Sequence, residues 1–362
     1  MTECATAAPD SRVDADTLTG FVERLFAAAG CAADESALIA QGLVRANLFG
    51  HDSHGVGLIP LYLGNLEQGL VLAGQSVRVV HDHGAIIGLD GQKGFGQVIG
   101  GQAMRLAVER ARATGLCMVG LSNTHHLARI GHWAEQCADA GLASVHFVNV
   151  LSRPLVAPWG GLDARLATNP FCVGVPHQPH PIVLDFATSM IAMGKARVAL
   201  DAGVPLADGL VLDANGRPSN DPAVMFQDPP GALMPFAQHK GFALSVMCEL
   251  LGGALSGGKV QDHDERPAPV INNMLSLVFA PDKLCSRQEL DAQVASLTAW
   301  LKASPAPPDG EGVVMPGEPE RATAAERSRL GIPLPERTRD ALATCARKLG
   351  IAETALTKGQ SR

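Results

Sequence analysis

The sequence predicts an α/β fold, and two observations carry that prediction. Strand and helix patterns alternate through the middle of the chain, and 46% of its 362 residues are hydrophobic while only 18% are charged, enough to bury a large core. On its own, such alternation favours a parallel sheet. The alternating segments are strand patterns at 77–80, 85–89, 116–121 and 142–149 and helix patterns at about 97–114 and 131–140.

The chain begins with helical patterns. Apolar residues recur at helical spacing from Leu18 to Phe26, and Gly30 closes this first helix. A second helix is predicted from about residue 34 to 47 and a third from Gly57 to Gly69. The amino-terminal part is therefore expected to be a helical region.

The second half is less regular. An apolar strand over 181–185 precedes a Thr188-Ser189 cap and a helix towards Leu200, and 203–237 resembles an extended loop. The stretch 241–255 is apolar on every side, which predicts a helix buried in the core. A Pro/Gly/acid stretch at 302–319 is flanked by polar helical patterns that reach Leu349.

Charge and cysteine usage exclude several classes of protein. A net charge of −7 disfavours non-specific nucleic-acid binding, which needs clustered Lys and Arg. No apolar run is long enough for a membrane span, and the first residues lack the pattern of a signal peptide. The 8 cysteines are scattered without CxxC pairs, as in reduced cytosolic proteins. We expect a soluble cytoplasmic protein without membrane partners.

Two glycine motifs resemble nucleotide-binding loops but fail on detail. In Gly94–Gly100 the third glycine comes one residue late, and the next strand ends without the acid that would hold a ribose. In Gly253–Lys259 a valine stands where Mg²⁺ needs a hydroxyl, and a helix precedes it where a strand is required. We interpret the first as a strand-to-helix turn and the second as a helix end.

Four polar segments are candidates for chemistry. His54 lies in the sextet GHDSHG, where an imidazole able to exchange protons is flanked by glycines that permit close approach of a ligand. His126 follows a strand, and Asp185 ends one, where a buried carboxylate needs a partner. Lys240 stands at the start of the apolar helix, a favourable place for an anion such as a cofactor phosphate. Capping, turn and solvent-exposed roles are the alternatives for these residues.

Histidine pairs raise the possibility of metal chemistry. Two imidazoles can share a metal when they are three residues apart on a helix, but these pairs fall in turns or at strand ends, and HExxH is absent. No residue is therefore assigned as a metal ligand, and a metal-dependent hydrolase is kept only as an alternative. The pairs are His51 and His54, His81 and His83, His125 and His126, and His177 and His180.

Six segments in order resemble the type-2 malate/L-lactate dehydrogenase family over about residues 15–349. They are ANLFGHDSHG, SNTHH, ARLATNPF, PIVLDFATS, PFAQHKGFALSVMCELLGGALSGG and MPGEPE. The resemblance implies a non-Rossmann α/β fold, with a largely antiparallel mixed sheet binding the dinucleotide and a helical domain formed by both chain ends. It implies three regions, 1–75, 76–285 and 286–362, and a homodimer whose active site lies near the interface.

The resemblance also implies the activity, which is hydride transfer between NAD(P)H and C2 of a 2-oxo or 2-hydroxy carboxylic acid, with NAD favoured over NADP. Reduction of a cyclic imine is an alternative within the family. The partner is a small-molecule carboxylate substrate.

Site roles follow from the same resemblance. His54 matches the proton donor, Asp185 the carboxylate that holds its imidazole, and His126 a second active-site histidine; which histidine moves the proton is left open. Tyr62 matches a substrate-facing position, and Ser53, next to His54, is assigned to the substrate as well. Arg129 is the candidate partner of the substrate carboxylate, because the family's usual arginine is missing from this chain. Leu58 stands where several relatives carry an arginine, and Ala128 where the family usually has glycine. The implied cofactor contacts are His54, Ala128, Arg129, Ile130, Leu184, Asp185, Phe186, Ala187, Thr188, Ser189, Lys240, Asn273, Gly317, Glu318, Pro319 and Glu320.

Overall fold

The computed structural model describes residues 12–262 and 269–353. The strands are β1 (Arg12–Val13), β2 (Arg78–His83), β3 (Ile86–Asp90), β4 (Leu116–His125), β5 (Ala143–Leu151), β6 (Phe171–Val175), β7 (Ile182–Phe186), β8 (Val211–Leu212), β9 (Pro218–Ser219), β10 (Ala232–Leu233), β11 (Ile271–Phe279) and β12 (Ile332–Pro333). The α-helices are α1 (Ala15–Ala28), α2 (Ala33–Leu48), α3 (Ile59–Glu67), α4 (Gly96–Thr114), α5 (Gly131–Asp139), α6 (Met193–Ala202), α7 (His239–Met247), α8 (Arg287–Lys302), α9 (Glu318–Leu330) and α10 (Glu336–Lys348).

A seven-stranded sheet in the order β2-β3-β4-β11-β5-β6-β7 forms the centre of the molecule. Strands β3 and β4 pair in parallel, joined through α4, and the other neighbouring strands of this described sheet pair antiparallel. The largely antiparallel sheet implied by the family resemblance is therefore confirmed. The parallel sheet that alternation alone favours is wrong for all but one pair, because most helices here do not return the chain to a parallel neighbour.

The two ends of the described chain share one core. Strand β1 pairs antiparallel with β12, Arg12 opposite Pro333. Buried side chains of α1, α2 and α3 form one cluster with Leu334 and Leu342, next to α10 and within it. Helix α1 begins at an Asp14 side chain that accepts from the N–H of Thr17, and its apolar stripe faces this cluster. The boundaries at 75/76 and 285/286 stay a prediction.

The helix predicted to be buried on every side is not. Helix α7 continues into a π-helical turn over Cys248–Ala254 that packs on β5 and β11 with one side only. Met247, Leu250 and Leu255 on its other side are 42, 48 and 61% exposed in the single chain. A sequence apolar all round does not say which face the rest of the same chain covers.

Other elements differ from the prediction in length or kind. The loop predicted over 203–237 contains β8, β9 and β10, a small sheet with its own apolar cluster. Helix α6 begins at Met193, later than the Thr188-Ser189 cap predicted. Strand β4 extends to His125, so that part of SNTHH lies within the strand. Strands β6 and β11 have no counterpart among the predicted elements.

Both interpretations of the glycine motifs are confirmed. Gly94 lies in the turn that leads from β3 into α4, and Gly96 is the first residue of that helix. Gly257, with φ of +82°, follows the π-helical turn, and the N–H of Gly258 donates to the carbonyl of Gly253. A positive φ at Gly257 ends the helix there, since residues with a Cβ rarely adopt it.

Candidate active site

Three polar side chains form a hydrogen-bonded chain that ends at His126. Gln97, at the start of α4, donates from Nε2 to the Tyr62 hydroxyl over 3.2 Å, and the Tyr62 oxygen lies 2.8 Å from His126 Nδ1. Tyr62 is fully buried on α3, and burial raises the pKa of its phenol, which keeps the proton in place. Burial also lowers the pKa of His126 well below its ordinary value. His126 is therefore neutral at neutral pH and held at one ring nitrogen.

The ring of His54 stacks on that of His126, with centroids 5.5 Å apart and planes 18° apart. The Ser53 hydroxyl lies 3.0 Å from His54 Nδ1. Burial, with the positive charges of His51 and Arg129, lowers the pKa of His54 to about 4. We call His54 and His126 the histidine pair: two neutral imidazoles, each with its Nδ1 already engaged.

A polar clamp fixes the turn that carries His54. The Asp52 carboxylate binds both terminal nitrogens of Arg327 on α9, at 2.7 and 3.0 Å, and accepts from the Asn47 amide at 2.6 Å. The Asn47 amide oxygen in turn accepts from the N–H of Val56. A Cβ on Gly55 would lie 2.1 Å from that amide oxygen, so the turn requires glycine there.

Asp185, near the end of β7, faces the loop that follows His126. Its Oδ2 accepts from the N–H of Gly131 over 2.7 Å. Burial raises the pKa of this carboxyl above its ordinary value, and the nearby charges of His51 and Arg129 offset the rise only in part. The expected contact in which Asp185 holds the His54 ring is replaced by the Ser53 contact, because Asp185 is turned towards Gly131 and His51.

Arg129 is 4% exposed and forms a paired salt bridge with Glu135 on α5, at 3.0 and 2.5 Å. Arg45 binds the same carboxylate at 2.9 Å, and both guanidinium groups lie against the ring of Phe49. Burial would raise the pKa of Glu135, but the two arginines hold it below its ordinary value. Arg129 can therefore serve a substrate carboxylate only through N–H groups that Glu135 leaves unused.

The segments expected to hold a cofactor meet around β7. The N–H of Phe236, just before α7, donates to the carbonyl of Thr188. On the other side the N–H of Val183 donates to the carbonyl of Pro316, next to the Gly317–Glu320 turn. His51 joins the same region, since its Nε2 lies 3.6 Å from Glu320 Oε1. The residues Leu184–Ser189 thus lie between the start of α7 and the start of α9.

Lys240 and Asn273 occupy different environments. Lys240 is exposed in the first turn of α7, after Ala237 and Gln238, whose φ angles are +45° and +60°. Asn273 is 1% exposed on β11: its oxygen accepts from the N–H of Asn123 at a bulge in β4, and its amide donates to Asn149. The site roles inferred for both stay predictions.

Among residues 12–262 and 269–353, no three His, Cys, Asp or Glu side chains come together as metal ligands would. In the same ranges no helix has the length and apolarity to cross a membrane.

Comparison with known proteins identifies the family. The family model for malate/L-lactate dehydrogenase matches residues 13–343. The chain belongs to this family. Hydroxycarboxylate dehydrogenase B of Escherichia coli K12 is 45% identical over 95% of this chain and 96% of its own, and the L-lactate dehydrogenase of Cupriavidus necator is 39% identical over 84% and 88%. The solved structure of sulfolactate dehydrogenase from Methanocaldococcus jannaschii superposes with a TM-score of 0.86, at 26% identity over 95% and 98% of the chains.

As a member of the malate/L-lactate dehydrogenase family the protein is an oxidoreductase of the 2-hydroxy acid dehydrogenase class, which confirms the activity class predicted from the sequence. The mixed, largely antiparallel fold is confirmed by the same likeness. A metal-dependent hydrolase is correspondingly less supported.

Four residues of this dehydrogenase's site were missed by sequence reasoning as participants. His51 was present in GHDSHG, but nothing in the sextet separated it from His54. Gln97, Glu135 and Arg327 gave no local signal, because their partners Tyr62, Arg45 and Asp52 lie 35, 90 and 275 residues away and only the fold brings them together.

Proposed function

We propose that the enzyme transfers a hydride reversibly between a nicotinamide cofactor and C2 of a small 2-hydroxy or 2-oxo acid, with the histidine pair at the reacting carbon. The observation that carries this proposal is the pair itself, two stacked neutral imidazoles beside the β7 region where the expected cofactor segments meet. This reaction requires the protein to hold the reacting carbon of the nicotinamide against C2 of the substrate and to accept or supply one proton.

The residues around β7 fit a dinucleotide. The exposed cation of Lys240 and the positive end of the helix dipole at the start of α7 favour an anion such as the diphosphate. We assign the backbone of Leu184–Ser189, the Gly317–Glu320 turn and the Ala128–Ile130 loop to the remaining contacts, with His54 and Asn273. When bound, NAD or NADP supplies the hydride acceptor or donor; NAD is favoured.

The hydrogen-bond chain divides the work between the histidines. We assign the Tyr62 proton to the contact with His126 Nδ1 at 2.8 Å, since the other acceptor near this hydroxyl, the carbonyl of His126, lies farther away at 3.5 Å. Neutral His126 then carries its proton on Nε2 and can only donate there, to the substrate oxygen. His54, neutral with a pKa of about 4, accepts the hydroxyl proton during oxidation and returns it during reduction.

Asp185 completes the site from the opposite side. We assign to this carboxyl the positioning of the loop from His126 to Gly131, since it accepts the N–H of Gly131. Leu58, half-buried beside the turn of His54, would give the substrate pocket an apolar wall where several relatives carry a cation. We assign to Ser53 and Tyr62 the hydrogen bonds that hold His54 and His126, and to Arg129 a positive charge that lowers the pKa of His54.

We propose further that the enzyme is a homodimer in the cytoplasm. The exposed apolar face of Met247, Leu250 and Leu255 supports association with a second copy, and the free cysteines of the described chain, five of them buried, support a reducing compartment. Leu250→Lys is expected to lower the molar mass measured by light scattering from that of a dimer towards that of a monomer.

The deciding experiment mixes the enzyme with NADH or NADPH and a panel of 2-oxo acids and cyclic imines, with and without EDTA, while cofactor absorbance is followed. Oxidation of cofactor by a 2-oxo acid that resists the chelator is the expected result. Turnover of imines alone would replace the substrate class, and chelator-sensitive chemistry without cofactor would contradict the proposal.

A further inference from the structure

A cavity of about 590 Å³ lies between α1 and α2 on one side and α4 and α5 on the other, behind the loop that carries His126. We call it the rear cavity. Its polar wall includes Arg45, Gln97, Arg129, His132 and Glu135, and Trp133 contributes to its apolar wall. Leu127 and Ala128 line it from the loop, so this loop separates it from the histidine pair.

Four buried polar atoms on this wall have no hydrogen-bond partner among the described residues. They are Nε of Arg45, Nε of Arg129, Nδ1 of His132 and Oε1 of Gln97. Gln97 is 5% exposed and Arg129 4%, so bulk solvent does not reach them freely. An unsatisfied buried polar group costs about 1–3 kcal/mol, and native proteins contain few of them. Four on one wall indicate a ligand-binding surface.

The charge on the wall indicates the sign of the ligand. On the cavity wall Arg45 and Arg129 share one carboxylate, that of Glu135, so the inner wall carries two guanidinium groups and one carboxylate. Asp185, the other carboxylate close to Arg129, lies outside the cavity lining. Opposite charges also occur at the exposed rim, where Arg105 stands with Asp16 and Asp139. Two guanidinium groups beside one carboxylate give the inner wall a preference for an anion.

The remaining atoms narrow the chemistry of that anion. Each unpaired arginine Nε–H suits a carboxylate oxygen, whereas Oε1 of Gln97 is an acceptor and requires a donor such as a hydroxyl. The indole of Trp133 offers an apolar surface for the body of the molecule. We propose that the rear cavity is a second binding site, separate from the active site, for a hydroxycarboxylate with an apolar side chain.

The site is connected to the chemistry through Gln97. The same amide that presents Oε1 to the cavity donates from Nε2 to Tyr62, and Tyr62 holds His126. A ligand that donates to Oε1 polarises the amide and strengthens its bond to Tyr62. Occupancy is therefore expected to alter turnover; this consequence rests on the proposed function, whereas binding itself does not.

Binding can be measured without turnover. Trp159 and Trp300 are exposed and can be replaced by Phe, which leaves Trp133 as the only indole of the chain. In this background 3-phenyllactate, added without cofactor, is expected to quench the fluorescence saturably. Gly101→Leu, on the cavity wall, should weaken binding at least about tenfold by filling the space. Gly101→Ala is the matched control, because its Cβ would lie 3.5 Å from Arg105 Nη1 and 3.9 Å from Trp133.

Each outcome decides the matter. Unchanged binding in Gly101→Leu, no quenching at all, or loss of quenching in His54→Ala, which would place the ligand in the active site, overturns the proposal. Inorganic phosphate that competes as well as phenyllactate would show a general anion site and overturn the hydroxycarboxylate assignment. Arg45→Met is the second variant should Gly101→Leu fail to fold. It removes one of the two guanidinium groups of the cavity wall, and we expect it to weaken phenyllactate binding at least about tenfold.

Discussion

The hydroxyl of Tyr62 lies 2.8 Å from Nδ1 of His126 and also accepts a hydrogen bond from Gln97. In the proposed mechanism Tyr62 donates to Nδ1, an assignment that places the proton of His126 on Nε2. It turns an ambiguous pair of histidines into one acceptor and one donor, and each role can be tested separately.

Tyr62→Phe keeps the buried ring but removes the hydroxyl. His126 then loses the bond that selects its tautomer, and we expect kcat to fall about tenfold with little change in the KM of the cofactor. Steady-state kinetics with both substrates varied provides the measurement. A kcat equal to that of the wild type would show that Tyr62 only fills space.

His54→Ala removes the proposed proton acceptor from the histidine pair. We expect kcat to fall by about a hundredfold or more, while NADH still binds, as measured by its fluorescence. His81→Ala, on the exposed edge strand β2, is the control and should keep full activity. Wild-type turnover in the His54 variant would reject the assignment.

Gly131→Ala tests the contact between Asp185 and the loop after His126. A Cβ on Gly131 would lie 2.9 Å from Asp185 Oδ2 and 2.7 Å from Arg129 Nη2, so one of these groups must move. We expect a loss of kcat/KM of about tenfold or more. Gly101→Ala, a helical glycine with room for the methyl group, should not lose activity. Equal activities of the two variants would remove Asp185 from its proposed role.

Arg327→Met tests the clamp on the turn of His54. Arg327 binds the half-exposed Asp52 through two nitrogens, and its loss should lower kcat because the turn is no longer fixed. Asp52→Asn should act in the same way, and the double variant should be little worse than either single one if the two residues act as a unit. Strictly additive losses in this cycle would contradict the clamp.

The buried His146 makes stability depend on acid. It lies between the Ser144 and Ser276 hydroxyls, and burial lowers its pKa from 6.5 to about 3. Since the unfolded chain takes up this proton near its ordinary pKa and the folded one does not, the free energy of unfolding falls as pH drops from 6.5 towards 3.

Chemical denaturation at several pH values measures this dependence. We expect His146→Gln to reduce the slope in this window by up to about 1.4 kcal/mol per pH unit, whatever it does to stability at neutral pH. His54, His125 and His132 have pKa values lowered in the same direction, so part of the slope should remain. An unchanged slope would show that His146 is protonated in the folded protein.

The sequence predicted those elements that depend on neighbouring residues and missed those that depend on residues far apart in the chain. Helices such as α1 and α4 were predictable because spacing and capping are local. The central strand β11 was missed, since Asn272 and Asn273 interrupt its apolar pattern; the fold buries both amides against β4 and β5. The antiparallel topology came from family resemblance and not from periodicity, which does not encode pairing partners.

The candidate active site shows the same difference between local and long-range information. His54 and His126 stood out because an imidazole is chemically conspicuous in a glycine-flanked turn or after a strand. Gln97 and Arg327 acquire their functions from partners far along the chain, and a glutamine or an arginine on a helix is most often a solvated surface residue.

The antiparallel pairing of Arg12 with Pro333 has a consequence for folding during synthesis. The apolar stripe of α1 emerges from the ribosome early, whereas Leu334 and Leu342, which help to cover it, are translated much later. At roughly 5–20 residues per second, that interval lasts on the order of a quarter of a minute to a minute. During this interval the nascent chain exposes an uncovered hydrophobic surface to chaperones, and loss of α10 would leave part of that surface uncovered in the finished protein.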